Sequence, residues 1–166
     1  MLNMKLNARL VFFSGFLACV LLLTVGAYMQ FVLELEPCPL CISQRIAIFG
    51  VGFLFLLAAL HNRGAKIHAV IIGLTALAGA SVSIRHIWLQ HLPPEEVPEC
   101  GPGLEYVFNN FPLSHTIKLM LSGTGDCAKV DWTFLGMSIP EMTLLAFLGL
   151  IGLASAPFWL KQPSTP

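Results

Sequence analysis

Charged residues are scarce in this sequence of 166 residues, and they show no surplus of either sign. Asp, Glu, Lys and Arg make up 11% of the chain, whereas about a quarter of the residues of a soluble domain are charged. The formal net charge is zero and no block of lysines and arginines occurs. The composition therefore argues against a soluble domain, and nucleic-acid binding has no electrostatic support.

Long apolar runs take up most of the chain instead. They cover approximately residues 10–33, 42–60, 67–84 and 140–160. A helix needs roughly 20 apolar residues to cross about 30 Å of hydrocarbon, and these runs approach or exceed that length. The sequence therefore predicts one all-α membrane domain, residues 1–166, in which four transmembrane helices form a bundle. The outer loops of this bundle are expected at 34–41 and 85–139.

The first run lacks the features of a cleaved signal peptide. It is longer than the core of about 7–15 residues that signal peptides have, and no clear A-x-A site follows it. We therefore expect this run to be a retained helix.

Basic residues near the ends of the runs predict the orientation of the bundle. Those at the predicted cytoplasmic side are Lys5, Arg9, Arg63, Lys66 and Lys161. They alternate along the chain as the positive-inside rule requires, although Arg85, Lys118 and Lys129 fall on the opposite side. Both termini are therefore expected in the cytoplasm, and both outer loops in the non-cytoplasmic compartment.

Most of the five cysteines lie in the predicted outer loops. Cys38 and Cys41 form a Cys-x-x-Cys in the first loop, and Cys100 and Cys127 lie in the long loop. Disulfides persist in a non-cytoplasmic compartment, so these outer cysteines are the candidate reactive residues. Cys19 lies within the first span, where we expect it to be a small packing residue.

Three kinds of site are compatible with four outer cysteines: structural disulfides, a tetrahedral zinc site and a redox relay. A disulfide between Cys38 and Cys41 would close a very short loop and stabilise little. Zinc sites commonly add a second close pair of ligands, which the distant Cys100 and Cys127 do not supply. A relay accounts for a Cys-x-x-Cys at the start of a helix, and no metal site is expected.

Arg45 follows Cys41 by one helical turn, so both residues are expected on the same helix face. A helix N-terminus favours a thiolate, and an arginine that enters a membrane helix usually has a partner or a function. The pair therefore predicts a site for an anion or an electron-rich ring at the outer interface. The alternative is that Arg45 merely extends to the lipid headgroups.

Several segments resemble the bacterial disulfide-bond formation protein B (DsbB) family. They are EPCPLCISQR, RHIWLQHLP, PEC at Cys100 and SGTGDCAKVDWTFLGMSIPEM. The similarity extends over nearly the whole chain and includes the order of spans and loops. It implies an enzyme of the bacterial inner membrane that reoxidises a periplasmic, thioredoxin-like dithiol oxidase (DsbA-like). The electrons would pass to membrane quinone, either ubiquinone or menaquinone.

The resemblance also implies roles for the outer cysteines. Cys38 and Cys41 match the quinone-proximal pair, in which Cys41 is the thiolate that forms an adduct with the quinone ring. Cys100 and Cys127 match the pair that meets the soluble partner, and Cys100 forms the mixed disulfide. Thiol–disulfide exchange then allows Cys127 to attack Cys38 and to free Cys41.

Two further residues, Arg45 and His86, match family residues beside the quinone.

Two other functions are alternatives to this reading of the sequence. One is a vitamin K epoxide reductase-like quinone enzyme. The position of the Cys-x-x-Cys, ahead of the second span, argues against it. The other is a membrane metal-binding or structural protein that uses all four outer cysteines as ligands.

The segment 106–122 allows two interpretations. Ser114 is placed to cap a short helix whose apolar residues would rest on the outer membrane surface and hold Cys127 near Cys38. The alternative is a plain packed loop.

Overall fold

The computed structural model of the chain describes residues 8–61, 64–101 and 104–159. The elements in chain order are α1 (Ala8–Phe31), α2 (Pro39–His61), α3 (Ala65–Gln90), α4 (Leu104–Asn110), α5 (Leu113–Ser122), a 3₁₀ helix (Gly125–Ala128), a hairpin of β1 (Thr133–Phe134) and β2 (Met137–Ser138), and α6 (Ile139–Trp159). Apart from this small hairpin, all regular structure in the described ranges is helical. The predicted all-α class is therefore confirmed.

Among the described helices, α1, α2, α3 and α6 are long and apolar enough to cross a membrane. Large apolar side chains point away from the bundle as well as into it: Leu21, Phe49 and Leu74 are 64%, 65% and 63% exposed. A helix that is apolar all round needs either a protein core or lipid around it, and these outer faces have no protein cover. The predicted four-helix membrane bundle is therefore confirmed.

The core of the bundle is formed by large rings that pack against small residues of the neighbouring helix. Phe55 of α2 is fully buried against Gly15 of α1, and Phe147 of α6 is fully buried against Gly79 of α3. A Cβ atom at either glycine would collide with the facing ring, so these glycines allow the close approach of the helices. Cys19 is 1% exposed in the same core, as expected of a packing residue.

A tight hairpin leads the chain into α6. Leu135 and Gly136 connect its strands with φ angles of 52° and 81°, the positive values that a two-residue hairpin turn of this kind requires. The Ser138 backbone N–H and hydroxyl then donate to Glu141 Oε2, at 2.6 and 3.1 Å. This carboxylate satisfies a free backbone donor at the start of α6 and fixes where the helix begins.

The segment 106–122 contains helices rather than a plain loop. Thr116 and Met120 of α5 are buried, whereas Leu113, Ile117 and Leu121 form an exposed apolar stripe on another face. The Ser43 hydroxyl of α2 donates to the Met120 carbonyl at 2.8 Å and holds α5 against the bundle. The predicted cap was wrong, because Pro112 precedes the first turn and Ser114 lies inside the helix.

The helices extend beyond some of the predicted spans. Helix α3 continues to Gln90, so the first residues of the predicted outer loop 85–139 are helical. Helix α2 begins at Pro39, inside the predicted loop 34–41. The membrane boundaries and the single domain stay predictions. The basic residues Lys5, Arg63 and Lys161, on which the orientation partly rests, lie outside the described residues.

Candidate redox site

Cys38 and Cys41 meet at the N-terminal end of α2. Cys38 directly precedes the helix, and its carbonyl accepts a hydrogen bond from the Ile42 N–H at 3.2 Å. The Cys41 N–H donates to Cys38 Sγ at 3.4 Å, and the two sulfurs lie 3.2 Å apart as free thiols. A small approach of the sulfurs would allow a disulfide, whose S–S bond is about 2.05 Å long. The helix start thus holds the two thiols together.

His86 reaches this pair from α3. Its Nε2 atom lies 3.7 Å from Cys38 Sγ, although the two residues are far apart in the sequence. The imidazole is 3% exposed, because the last turns of α3 pack against α2. The structure therefore brings His86 to the Cys-x-x-Cys.

Gln44 completes this polar group, although the sequence alone indicated no role for it. Its side-chain nitrogen lies 3.4 Å from Nδ1 of His86, and the residue is 2% exposed. A buried amide needs a hydrogen-bond partner, and the imidazole provides one. In the sequence, Gln44 is recognisable only as an uncharged polar residue at the start of an apolar run. That feature does not reveal which residue it bonds to.

Arg45 points towards α1. Its guanidinium donates to the Gln30 side-chain oxygen and, at 2.9 Å, to the Gly26 carbonyl. A Cβ atom at Gly26 would lie 3.2 Å from Arg45 Nε, so the glycine makes room for the arginine. These contacts fix the charge between α1 and α2, one turn from Cys41. They do not fit a side chain that extends freely to the lipid headgroups.

A cavity of about 240 Å³ opens beside these residues, between the outer ends of the helices. Its polar lining includes Cys38, Cys41, Arg45 and His86. Apolar side chains complete the wall, such as Leu22, Val25 and Met29 from α1 and Met142 from α6. A mostly apolar cavity with a few convergent polar groups is typical of a binding site for a small organic molecule.

Cys127 lies on the 3₁₀ helix and is fully buried against Leu40 and Leu89. The interaction of its thiol with Cys38, together with burial, holds the pKa of Cys127 well above its usual range.

Cys100 is exposed, in contrast to Cys127. The segment that precedes it lies on the turn before Cys127, where the Gly125 N–H donates to the Glu99 carbonyl at 3.2 Å. The Cys100 sulfur lies 3.3 Å from the position that a Cβ atom at Gly125 would take. The long loop therefore presents one cysteine at the surface and directs the other towards the Cys-x-x-Cys.

The four outer cysteines do not form a common ligand cluster. In the described part of the chain, the cluster with metal-ligand spacing consists of Cys38, Cys41 and His86, whose ligand atoms lie within 4.8 Å of one another. Cys100 lies outside that cluster and is exposed. A site that uses all four outer cysteines at once is therefore not the arrangement seen here.

The membrane-length helices and the two neighbouring cysteine pairs together define the class of the protein. It is a multi-pass membrane protein with a site for thiol–disulfide exchange. The family model described as "Disulfide bond formation protein DsbB" matches residues 8–156. The chain belongs to the DsbB family, which confirms the resemblance seen in the sequence and implies disulfide oxidoreductase activity.

Named relatives are similar over almost their full length. "Disulfide bond formation protein B" of Methylococcus capsulatus is 57% identical over 156 residues, which covers 92% of this chain and 95% of the relative. The protein of the same name from Nitrosococcus oceani is 50% identical over 150 residues, 89% of each chain. That of Hahella chejuensis is 47% identical over 161 residues, 95% of this chain and 97% of the relative.

Proposed function

We propose that this protein transfers electrons from a reduced, thioredoxin-like periplasmic dithiol oxidase (DsbA-like) to membrane quinone. The observation that carries the proposal is the different placement of the two loop cysteines. Cys100 is exposed, whereas Cys127 is buried with its thiol against Cys38. This arrangement connects an exposed thiol, which a protein can reach, through a buried thiol to the partly buried Cys38–Cys41 pair.

The first exchange would take place at the surface. A thiolate of the reduced partner attacks Cys100 in a Cys100–Cys127 disulfide, which forms a mixed disulfide and releases Cys127. Cys127 then attacks Cys38 in a Cys38–Cys41 disulfide and releases Cys41 as a thiolate. The contact between Cys127 and Cys38 supports this second step, because the attacking sulfur is already next to its target.

The remaining steps would restore the outer pair. The second thiol of the partner resolves the mixed disulfide, so the partner leaves oxidised and Cys100 becomes a thiol. Cys100 then attacks Cys127, which frees Cys38 and leaves Cys38 and Cys41 as a dithiol. The net change is the transfer of two electrons and two protons from the partner to the inner pair.

The cavity residues fit a quinone headgroup. When bound, a quinone supplies a two-electron acceptor that also takes up two protons. The Arg45 guanidinium would stabilise the Cys41 thiolate and negative charge on the ring, because it is fixed one turn away. His86 would hold or deliver a proton beside Cys38, from which its Nε2 lies 3.7 Å. The apolar wall of the cavity would exclude water from the ring.

The proposed location is the bacterial inner membrane, with both termini in the cytoplasm. Within the described residues, Arg9 and Lys66 lie at the end of the bundle opposite to the cysteines. Basic residues at that end are what a cytoplasmic side requires. The same orientation places the cysteines in the periplasm, where disulfides persist.

The test is quinone reduction by the purified protein with a reduced DsbA-like partner. We expect catalytic loss of quinone with the unmodified chain, and none with Cys100→Ser or with Cys41→Ser. Cys19→Ser, a change to a buried core cysteine outside the site, is the matched control and should retain activity. Quinone reduction that persists without Cys100 would contradict the order of the two pairs.

A further inference from the structure

The sulfur and nitrogen atoms at the start of α2 have the spacing of a metal site. Cys38 Sγ, Cys41 Sγ and a His86 ring nitrogen lie within 4.8 Å of one another. Tetrahedral zinc has bonds of about 2.3 Å to sulfur and about 2.0–2.1 Å to nitrogen, which puts a sulfur about 3.6 Å from a nitrogen and about 3.8 Å from a second sulfur. The Cys38–His86 separation is 3.7 Å.

The sulfur pair needs a small adjustment to fit such a site. Cys38 Sγ and Cys41 Sγ lie 3.2 Å apart and would have to separate by about 0.6 Å to reach the zinc geometry. Cys38 directly precedes α2, so rotation of its side chain can supply this movement without breaking the helix.

A fourth donor lies on the Cys38 side of this group. Cys127 is fully buried in the apolar cluster against which Cys38 packs. Its sulfur lies outside the group of three, so the 3₁₀ helix that carries it would have to move towards the ion. Three sulfurs and one imidazole form a Cys₃His set, which is a common composition of closed zinc sites. The sequence predicted no metal site, because the two cysteine pairs lacked a close partner. The missing ligand, His86, comes from α3.

The surroundings suit a bound cation with thiolate ligands. The Gln44 side-chain nitrogen lies 3.4 Å from Nδ1 of His86. A 180° turn of this amide exchanges its nitrogen and oxygen, and the oxygen would then accept a hydrogen bond from Nδ1–H and leave Nε2 as the metal-binding atom. Three thiolates around a divalent cation leave one net negative charge. The Arg45 guanidinium, one turn from Cys41, compensates that charge.

We propose that the fully reduced protein binds one soft divalent cation of the zinc type through Cys38, Cys41, Cys127 and His86. Binding converts three thiols to thiolates and releases three protons, and no electrons are transferred. The site exists only in the dithiol state, because a sulfur in a disulfide is no longer available as a thiolate. A bound cation holds the thiolates that the relay needs and therefore inhibits thiol–disulfide exchange.

The test measures metal binding directly. The full-length protein in detergent, reduced with a phosphine under anaerobic conditions, is dialysed against zinc, and cobalt is used as a spectroscopic probe of tetrahedral thiolate ligands. We expect one zinc per chain, and binding at least about tenfold weaker in Cys127→Ser and in His86→Ala. Gln44→Leu should weaken binding by about 10–100-fold, because it removes the partner of the liganding imidazole.

Cys100→Ser and Cys19→Ser are the matched controls, and both should bind zinc as the unmodified chain does. Oxidised protein should bind none. Equal loss of binding in Cys100→Ser and Cys127→Ser would overturn the proposal in favour of a site made of the four outer cysteines. Less than stoichiometric binding by the reduced protein would overturn it outright.

Two measurements distinguish a loss of metal binding from a loss of folding. Thermal unfolding of each variant shows whether it is folded, and Cys41→Ser provides a second ligand variant if His86→Ala does not fold. Weak binding in folded Cys41→Ser supports the site, and unchanged binding overturns it. The metal-binding assay contains neither quinone nor partner, so its result does not depend on electron transfer. A failure of the proposed electron transfer is seen only in the quinone assay, and a failure of metal binding only in this one.

Discussion

The backbone N–H of Gly125 donates a hydrogen bond to the carbonyl oxygen of Glu99, with nitrogen and oxygen 3.2 Å apart. This bond joins the segment that carries Cys100 to the turn that carries Cys127. A second close approach lies beside it, because a Cβ atom at Gly101 would be 2.8 Å from the Thr124 methyl carbon. The two glycines therefore let the two segments approach closely and keep the exposed cysteine near the buried one.

Gly125→Ala should separate these segments. The new Cβ would collide with the Pro98 carbonyl, which is backbone and cannot rotate away. Overpacking of this kind costs about 1–3 kcal/mol, so the docked arrangement should become about five- to 150-fold less favourable. Electron uptake from the partner should slow, whereas oxidation of the reduced inner pair by quinone should not. Stopped-flow measurement of the two half-reactions checks this.

The matched control for that variant is Gly73→Ala. Gly73 lies in α3, and a Cβ atom there would have no neighbour within 4 Å. Both half-reactions should be unchanged in this control. Equal slowing of both half-reactions in Gly125→Ala would show a general loss of structure rather than a loss of docking.

Cys127→Ser should trap the soluble partner on Cys100. In this variant the Cys100 thiolate can attack the disulfide of the oxidised partner, which forms a mixed disulfide with Cys100 and releases the second thiol of the partner. Without Cys127 no thiol of the outer pair can displace the partner, so this adduct should accumulate. Non-reducing gels after addition of the oxidised partner measure the adduct. The double variant Cys100→Ser, Cys127→Ser should form no such adduct. An adduct that forms through Cys38 instead would reverse the assignment of the two pairs.

Arg45→Ala should weaken the use of quinone. The change removes a charged donor from the cavity, and hydrogen bonds to charged groups contribute about 1.5–3 kcal/mol, so the apparent KM for quinone should rise about tenfold or more. Arg45→Lys should restore part of the loss, because lysine keeps the charge but lacks the planar pair of donors. Exchange between Cys100 and the partner should survive in both variants. If partner exchange is lost as fully as quinone use, Arg45 has a structural role.

The stability of the reduced protein should depend on pH through Cys127. Its pKa in the folded protein lies above the ordinary thiol value of 9.0, because of its interaction with the Cys38 side chain and its burial. The folded state therefore holds the proton more tightly than the unfolded state. The resulting stabilisation is complete below the unfolded pKa, declines as the pH rises above about 9, and is lost once the folded pKa is passed.

Thermal unfolding of the reduced protein in detergent, between about pH 7 and pH 10, measures this effect. The Tm should fall above about pH 9 in the unmodified chain, and it should fall less in Cys127→Ser. Cys100→Ser is the control, because Cys100 is exposed and the same decline should remain. A decline of equal size in Cys127→Ser would assign the effect to another group.

The orientation can be tested with reporter fusions. A reporter fused after Arg63, which lies outside the described residues, should stay in the cytoplasm, and one inserted near Glu96 should be exported. An alkaline phosphatase fusion, active only after export, distinguishes the two positions. Export at Arg63 would place the cysteines on the reducing side of the membrane and contradict the proposed chemistry.

Sequence alone was sufficient for the helices and for the chemical type of the site. Apolar runs of membrane length predict spanning helices because only a helix or a closed barrel satisfies its backbone groups in lipid. A Cys-x-x-Cys at a helix start predicts a reactive thiol pair, since both features depend on residues that are neighbours in the chain. The family motifs then added the roles of the distant cysteines, which local spacing did not provide.

Tertiary packing decided which of these residues meet. His86 lies beside Cys38 because α3 packs against α2, and no spacing in the sequence encodes that contact. The same holds for Arg45, whose partners Gln30 and Gly26 belong to α1. Burial separates Cys127 from Cys100, although both lie in one polar loop. Contacts between elements depend on how helix faces fit together, and that fit is settled only when the whole bundle packs.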